Sequence, residues 1–220
     1  MNKPYEVVFQ DEYLIVLNKI AKLLVQPSPK KEKYTLTSLL NKELNKRNEK
    51  ALPCHRLDRE TTGLIVYAKN SKIQSSLMTQ FKERSVKKKY LAFVRGRIRP
   101  KQGILEGVIL DKDAKRFKEK AKSARSSYRV VAELEGFSFL ELKPFTGRTN
   151  QLRIQLKEAG HPILGERKYA FGKDFAVKFR RLALHAFFLR LRHPVSHHAV
   201  QFEVGLPEDM KKFLEKHRRK

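Results

Sequence analysis

The sequence predicts an α+β fold. Segments rich in β-branched and aromatic residues outnumber the helical ones, and the helices do not alternate with them regularly, as a doubly wound parallel sheet would require. Length adds a third observation. The 220 residues, 40% of them hydrophobic and with fourteen Phe and seven Tyr, suffice for one substantial core and are short for two independent domains. One domain over residues 1–220, with room for two lobes, is expected, and no internal repeat or Gly/Ser linker interrupts it.

The elements follow in order. "YEVVFQDEYLIVLNK" predicts two short strands around a turn at Gln10-Asp11-Glu12, because β-branched and aromatic residues flank a polar break. "TLTSLLNKELNKRN" places Leu36, Leu39, Leu40 and Leu44 at helical spacing behind Thr35, a suitable N-cap. "LIVYAKN" predicts a buried strand, followed by a helix capped by Ser71 with Ile73, Leu77 and Phe81 on one stripe. "KKKYLAFVRG" and "GILEGVIL" read as strands. Residues 111–125, rich in Lys and Arg and without apolar periodicity, read as a solvated arm or loop.

"SSYRVVAELEGFSFLELKP" predicts a hairpin around Glu135-Gly136. "TNQLRIQLKEAG" predicts a helix with Leu152, Leu156 and Ala159 inward and Gly160 at C′. "RLALHAFFLRLRHP" and "HHAVQFEVGLP" read as paired strands, and Pro207 opens a last helix with Met210, Phe213 and Leu214 inward.

Composition then limits the function. Lys and Arg number 49 against 23 Asp and Glu, a formal net charge of +26, and the pI is near 10.3. Such an excess creates a positive potential that draws polyanions, and nucleic acid is the first candidate. A membrane is the rival. No apolar run approaches the roughly 18 residues of a spanning helix, and "MNKPYEVVFQ" lacks the apolar region of a signal peptide, so a cytoplasmic location is expected.

Several chemistries find no support. Cys54 is the only cysteine, which leaves no intramolecular disulfide and no multi-cysteine zinc site. His197 and His198 are adjacent and the other histidines are scattered along the chain, and no metal is expected. Cys54 and His55 are neighbours, and in an extended segment neighbours point to opposite faces, which argues against a Cys-His nucleophile. Gly147 stands alone in "FTGRTNQ", so neither a Walker A loop nor a dinucleotide fingerprint is present. What remains is Asp58 close behind Arg56, and the run Thr146 to Thr149 leading into the helix that carries Arg153. On composition alone, "HRLD" reads more readily as a salt-bridged surface than as a catalytic site.

"HRLDRETTGLIVYAKN" resembles the catalytic motif of the RluA family of RNA pseudouridine synthases. Three further blocks match in the same order: "KKYLAFVRG", "FTGRTNQLRIQLKEAGHPILGERKY" and "RLALHAFFLRLRHP". "DEYLIVLNKIAKLLVQP" is similar to the family's N-terminal block, so the resemblance spans roughly residues 7 to 206.

The resemblance implies the pseudouridine synthase fold, a mixed, largely antiparallel sheet with flanking helices and a central active-site cleft. It implies isomerisation of uridines in structured ribosomal or transfer RNA, with no cofactor. Asp58 would be the nucleophile and Arg148 the arginine that pairs with it. A guanidinium nearby favours the anion of a buried carboxylate by roughly one to three pKa units. Arg56 would fill the space left by the extruded base, Tyr90 would stack on the uracil and take the C5 proton, and Leu184 would wall the pocket. Thr146, Gln151 and Arg153 would contact substrate. A monomer without a separate RNA-binding domain of the S4 type is expected.

The chain also departs from the family pattern. Ile20, Lys22 and Gln26 replace the usual Pro, Gly and His of the N-terminal block, Thr62 replaces a commoner serine, and Asn150 and Gln155 stand where histidines are usual. Two rivals stay open on sequence grounds: a non-catalytic RNA-binding or ribosome-assembly factor of the same fold, and an N-glycosylase that would release free uracil.

Overall fold

The computed structural model describes residues 3–28, 31–47, 49–113, 118–170 and 177–218. The chain forms two compact units, residues 1–88 with 186–205 and residues 89–185 with 206–220. The boundaries fall within two strands, β5 (Lys87–Arg95) and β9 (Leu184–Arg192).

The first unit is built on β1 (Tyr5–Gln10), β2 (Leu14–Lys19), β3 (Leu52–Pro53) and β4 (Thr62–Ala68), joined by its part of β9 and by β10 (Ala199–Glu203). β2 lies between β1 and β4, antiparallel to both, and β10 pairs antiparallel with β9. The hairpin turn between β1 and β2 forms where the polar break predicts it: Asp11 Oδ1 accepts the backbone N–H groups of Tyr13 (2.7 Å) and Leu14 (2.8 Å). Such a side-chain turn is why aspartate is favoured there.

Every residue of β4 is buried, as its unbroken apolar run suggests. Helix α1 (Leu36–Leu44) starts at Thr35, whose hydroxyl accepts the Ser38 N–H while Ser38 returns a bond to the Thr35 backbone, a complete capping box. Helix α2 (Ser71–Lys82) is capped one residue earlier than expected: Asn70, not Ser71, accepts the Ile73 N–H at 2.9 Å.

The second unit carries β5, β8 (Phe137–Pro144), β7 (Lys118–Leu134) and β6 (Gln102–Asp113), each antiparallel to the next in that spatial order. Its core gathers on Phe93, whose ring meets those of Phe137, Phe139, Phe179 and Phe213 at centroid distances of 5.3–6.0 Å. Helix α3 (Gln151–Glu158) buries Leu152 and Leu156, and helix α4 (Glu208–Arg218) buries Met210 and Leu214. Ala159 is exposed at the end of α3 and not inward, and Gly160 follows with φ +80°, the left-handed C′ conformation that glycine adopts without strain.

The basic segment 111–125 departs furthest from expectation. Residues 118–125 are strand, and β6 and β7 pair from Gln102↔Arg129 out to Asp113↔Lys118. Pairing of β7 with β8 stops at Ser126↔Pro144. Beyond it β7 keeps its pairing with β6 as a two-stranded ribbon, and carbonyls such as Ser123 O and Ala124 O accept from Arg148 and Gln155. Residues 114–117 of the expected arm lie outside the described residues.

Candidate functional site

In the first unit, Asp58 sits on a loop fixed on both sides. Upstream, the chain lies along β4: Cys54 N donates to Val66 O (3.2 Å), and His55 Nε2 accepts the Val66 N–H (3.1 Å). An accepting Nε2 places the His55 proton on Nδ1. Burial drives the His55 pKa down to about 3, with the positive charge of Lys88 adding to the effect, so the imidazole stays neutral. Its ring leans on Phe81 (4.6 Å between centroids), and Lys88 Nζ lies 5.6 Å from that same Phe81 ring. Burial also lowers the pKa of Lys88.

Downstream, Thr61 N donates to Asp58 O at 3.1 Å, closing a turn through Arg59 and Glu60. Lys19, 1% exposed, places its ammonium on three backbone carbonyls: Ile20 O (2.8 Å), Leu23 O (2.9 Å) and Arg59 O (3.2 Å). Three donors meeting three acceptors is what makes a buried ammonium tolerable. Leu57 is buried, Asp58 half-buried and Arg56 exposed. Gly63 closes the loop with φ +109°, and a Cβ there would stand 2.2 Å from Ala186 O, so no other residue fits.

In the second unit, Tyr90 is half-buried on β5, paired with Leu142 of β8, and packs against the core that contains Leu184. Leu184 itself is 4% exposed. The Thr146–Thr149 turn is held by buried amides of α3. Gln151 Oε1 accepts from Thr146 Oγ1 (2.6 Å) and Arg148 N (3.0 Å), while its Nε2 donates to Arg125 O (3.0 Å) and Ser126 Oγ (2.8 Å). Ser126 Oγ in turn donates to Gln155 Oε1 (2.8 Å), and Gln155 Nε2 donates to Leu105 O (2.9 Å) and Ala124 O (3.1 Å) of the ribbon. Arg148 Nε donates to Ser123 O on β7 at 3.1 Å.

Arg153 is held as firmly. Its Nε and Nη2 bind Glu166 side on, both at 2.7 Å, and Nη1 reaches Asn150 Oδ1 at 2.8 Å. Burial alone would raise the Glu166 pKa. The Arg153 bonds and the Lys168 and Tyr169 N–H groups outweigh that and hold it below the usual range. Asn150, at a left-handed φ of +55°, also donates to Tyr169 OH at 2.8 Å.

Of the residues singled out from sequence, Arg56 and Asp58 therefore share one loop, while Thr146, Arg148, Gln151 and Arg153 share one turn and the helix it opens. Lys19, His55 and Gln155 are the residues that sequence reasoning missed as supports. Among the described residues, no three His, Cys, Asp or Glu side chains gather as a metal site would need, and no helix is long and apolar enough to cross a membrane.

A family model described as RNA pseudouridylate synthase matches residues 13–158. This chain belongs to that family. The match takes in β2 through α3, and with them both loops just described. The resemblance to RluA-type synthases, and the α+β fold it implies, are borne out by individual relatives.

Ribosomal large subunit pseudouridine synthase D of Nitrosomonas europaea is 34% identical over 96% of this chain, which spans 65% of that protein's length. tRNA pseudouridine synthase C of Vibrio cholerae is 35% identical over 92% of this chain and 91% of its own length. The solved structure of human RNA pseudouridylate synthase domain containing 4 superposes with a TM-score of 0.80 at 27% identity, covering 96% of this chain and 92% of that one.

Proposed function

We propose that this chain isomerises specific uridines of structured ribosomal or transfer RNA to pseudouridine, with Asp58 as the nucleophile. The observation that carries the reading is the carboxylate itself: within a family of RNA pseudouridylate synthases, Asp58 stands on a loop held from both sides by side-chain hydrogen bonds to the backbone, from Lys19 and His55. Preorganisation of this kind is what a reacting group needs, since misplacement by about 1 Å can cost a hundredfold in rate.

Isomerisation breaks the N-glycosidic bond, turns the uracil and rejoins it to the ribose through C5, with the C5 proton leaving to solvent and N1 gaining one. Nothing is added, so no cofactor enters. Asp58 attacks the sugar C1′ or the base C6, or the reaction passes through a glycal, with Arg148 as the arginine that pairs with Asp58. Tyr90 stacks on the uracil and takes the C5 proton. Extruding the base costs a few kcal/mol of stacking, and Arg56, exposed beside Asp58, is suited to fill the gap by stacking and hydrogen bonding.

Thr146 and Gln151 support this chemistry through Arg148, because their side-chain polar atoms already bond within the protein. Leu184 contributes as part of the core beneath Tyr90. The large net positive charge favours a monomer that meets RNA in the cytoplasm.

Release of tritium from total unmodified ribosomal and transfer RNA labelled at uridine C5 tests the reading. Wild type should release tritium, and Asp58→Asn should release none while still binding RNA. Release by the variant sinks the assignment of Asp58, free uracil among the products would mean a glycosylase, and no release by wild type would favour a binding factor.

A further inference from the structure

Tyr34 exposes 65% of its surface, the most of any large hydrophobic side chain among the described residues. Tyrosine is ordinarily half-buried or better, so an aromatic ring held out in water calls for a reason. The ring is not on a loose end. The next residue, Thr35, caps α1, and Leu36 N donates to Leu24 O at 2.7 Å while Thr37 N donates to Val25 O at 3.1 Å. The first turn of α1 is thereby laid against residues 24 and 25.

Residues 22 and 23, just upstream of those two, are bound to the Asp58 loop. Leu23 O and Arg59 O lie on the same Lys19 ammonium, and Arg59 Nε donates to Lys22 O at 3.4 Å. Lys22, Lys31, Lys33 and Arg59 are all exposed, and Lys33 immediately precedes Tyr34 in the chain. Among the described residues between 20 and 34, one is acidic, Glu32. Its carboxylate is turned to Ser28, accepting from N and Oγ at 2.8 Å each. Those bonds, with Arg59 nearby, hold its pKa below the usual range.

Exposed cations around an exposed aromatic ring are the pairing that single-stranded nucleic acid selects: the cations follow the phosphates and the ring stacks on a base. From this juxtaposition we infer that Tyr34 stacks on an unpaired base flanking the target uridine, with Lys22, Lys31, Lys33 and Arg59 on the adjoining phosphates. The inference rests on the catalytic reading for the identity of the target. It goes beyond that reading in assigning a contact to a further base and phosphate contacts to Lys22, Lys31, Lys33 and Arg59.

Binding of a short fluorescein-labelled oligouridylate to the full chain, followed by anisotropy, tests it. Stacking of one base on one ring is worth about 1–3 kcal/mol, so Tyr34→Ala should weaken binding by about 5- to 150-fold. Tyr34→Phe and Tyr34→Trp should bind as wild type. The slope of log affinity against log salt should stay unchanged in Tyr34→Ala and fall by about 0.7 in Lys33→Ala, one phosphate contact on a single strand. Unchanged affinity in Tyr34→Ala overturns the inference, as does a loss in Tyr34→Phe equal to that in Tyr34→Ala, which would mean a hydroxyl contact. The tritium assay separates the two claims. Release by wild type without an effect of Tyr34→Ala on affinity removes this inference alone, while Tyr34-dependent binding without release removes the catalytic reading alone.

Discussion

At His55, burial and hydrogen bonding act together. The ring must be neutral to accept the Val66 N–H, and burial keeps it so by driving its pKa down to about 3. In the unfolded chain the same side chain titrates near 6.5. Between those values the unfolded state binds the extra proton, so the contribution of His55 to stability is complete above about 6.5 and is lost as pH falls below it. One proton corresponds to about 1.4 kcal/mol per pH unit, so lowering the pH from 7 to 5 should cost wild type about 2 kcal/mol more than His55→Gln, whose amide oxygen can accept the same N–H without titrating. Urea unfolding of both proteins across that range checks it. His55→Leu leaves a buried N–H unsatisfied, at about 1–3 kcal/mol, and should lower kcat on the order of 10- to 100-fold through Asp58, three residues on. Sequence made Asp58 and Arg56 visible through the motif, but not this support. Beside Cys54, His55 invited the question of a nucleophile, and its true partner is a backbone group eleven residues away. Lys19 was hidden for the same reason, because its three carbonyls come from separate points of the chain.

Among the elements, α3 and the β6–β7 ribbon show where periodicity stops being informative. Leu152 and Leu156 announce the inward face of α3, and that face is as expected. Gln151 and Gln155 share it, and nothing in their spacing says that they are buried, since their burial depends on carbonyls of the ribbon. Residues 111–125 read as a solvated arm from sequence, because their run of charged side chains leaves no apolar alternation to announce a strand. The replacement of a usual histidine by Gln155 now has a physical content. The amide makes three bonds at once, to Ser126 Oγ, Leu105 O and Ala124 O, whereas an imidazole offers two ring nitrogens. Gln155→His should therefore leave one buried partner unsatisfied and destabilise the chain by about 1–3 kcal/mol, read as a lower urea midpoint with unchanged m. A variant as stable as wild type would show that the network can close around a ring.

For the whole molecule, the excess of Lys and Arg decides how binding responds to salt, whichever uridine is modified. Each phosphate neutralised releases condensed counterions, so log affinity falls linearly with log salt. If 6 to 10 phosphates are met, affinity for RNA should drop by about 10³- to 10⁵-fold between 50 and 200 mM salt. A chain of formal net charge +26 carries more cations than so few contacts need, so the slope counts how many of them face RNA at once. Asp58→Asn should give the same slope as wild type, since the carboxylate meets the base or sugar and not the phosphates. Filter binding of unmodified ribosomal RNA across that salt range measures both. A shallow slope in wild type would mean that most of the positive surface serves solubility, and that recognition rests on base contacts such as those assigned to Arg56 and Tyr34.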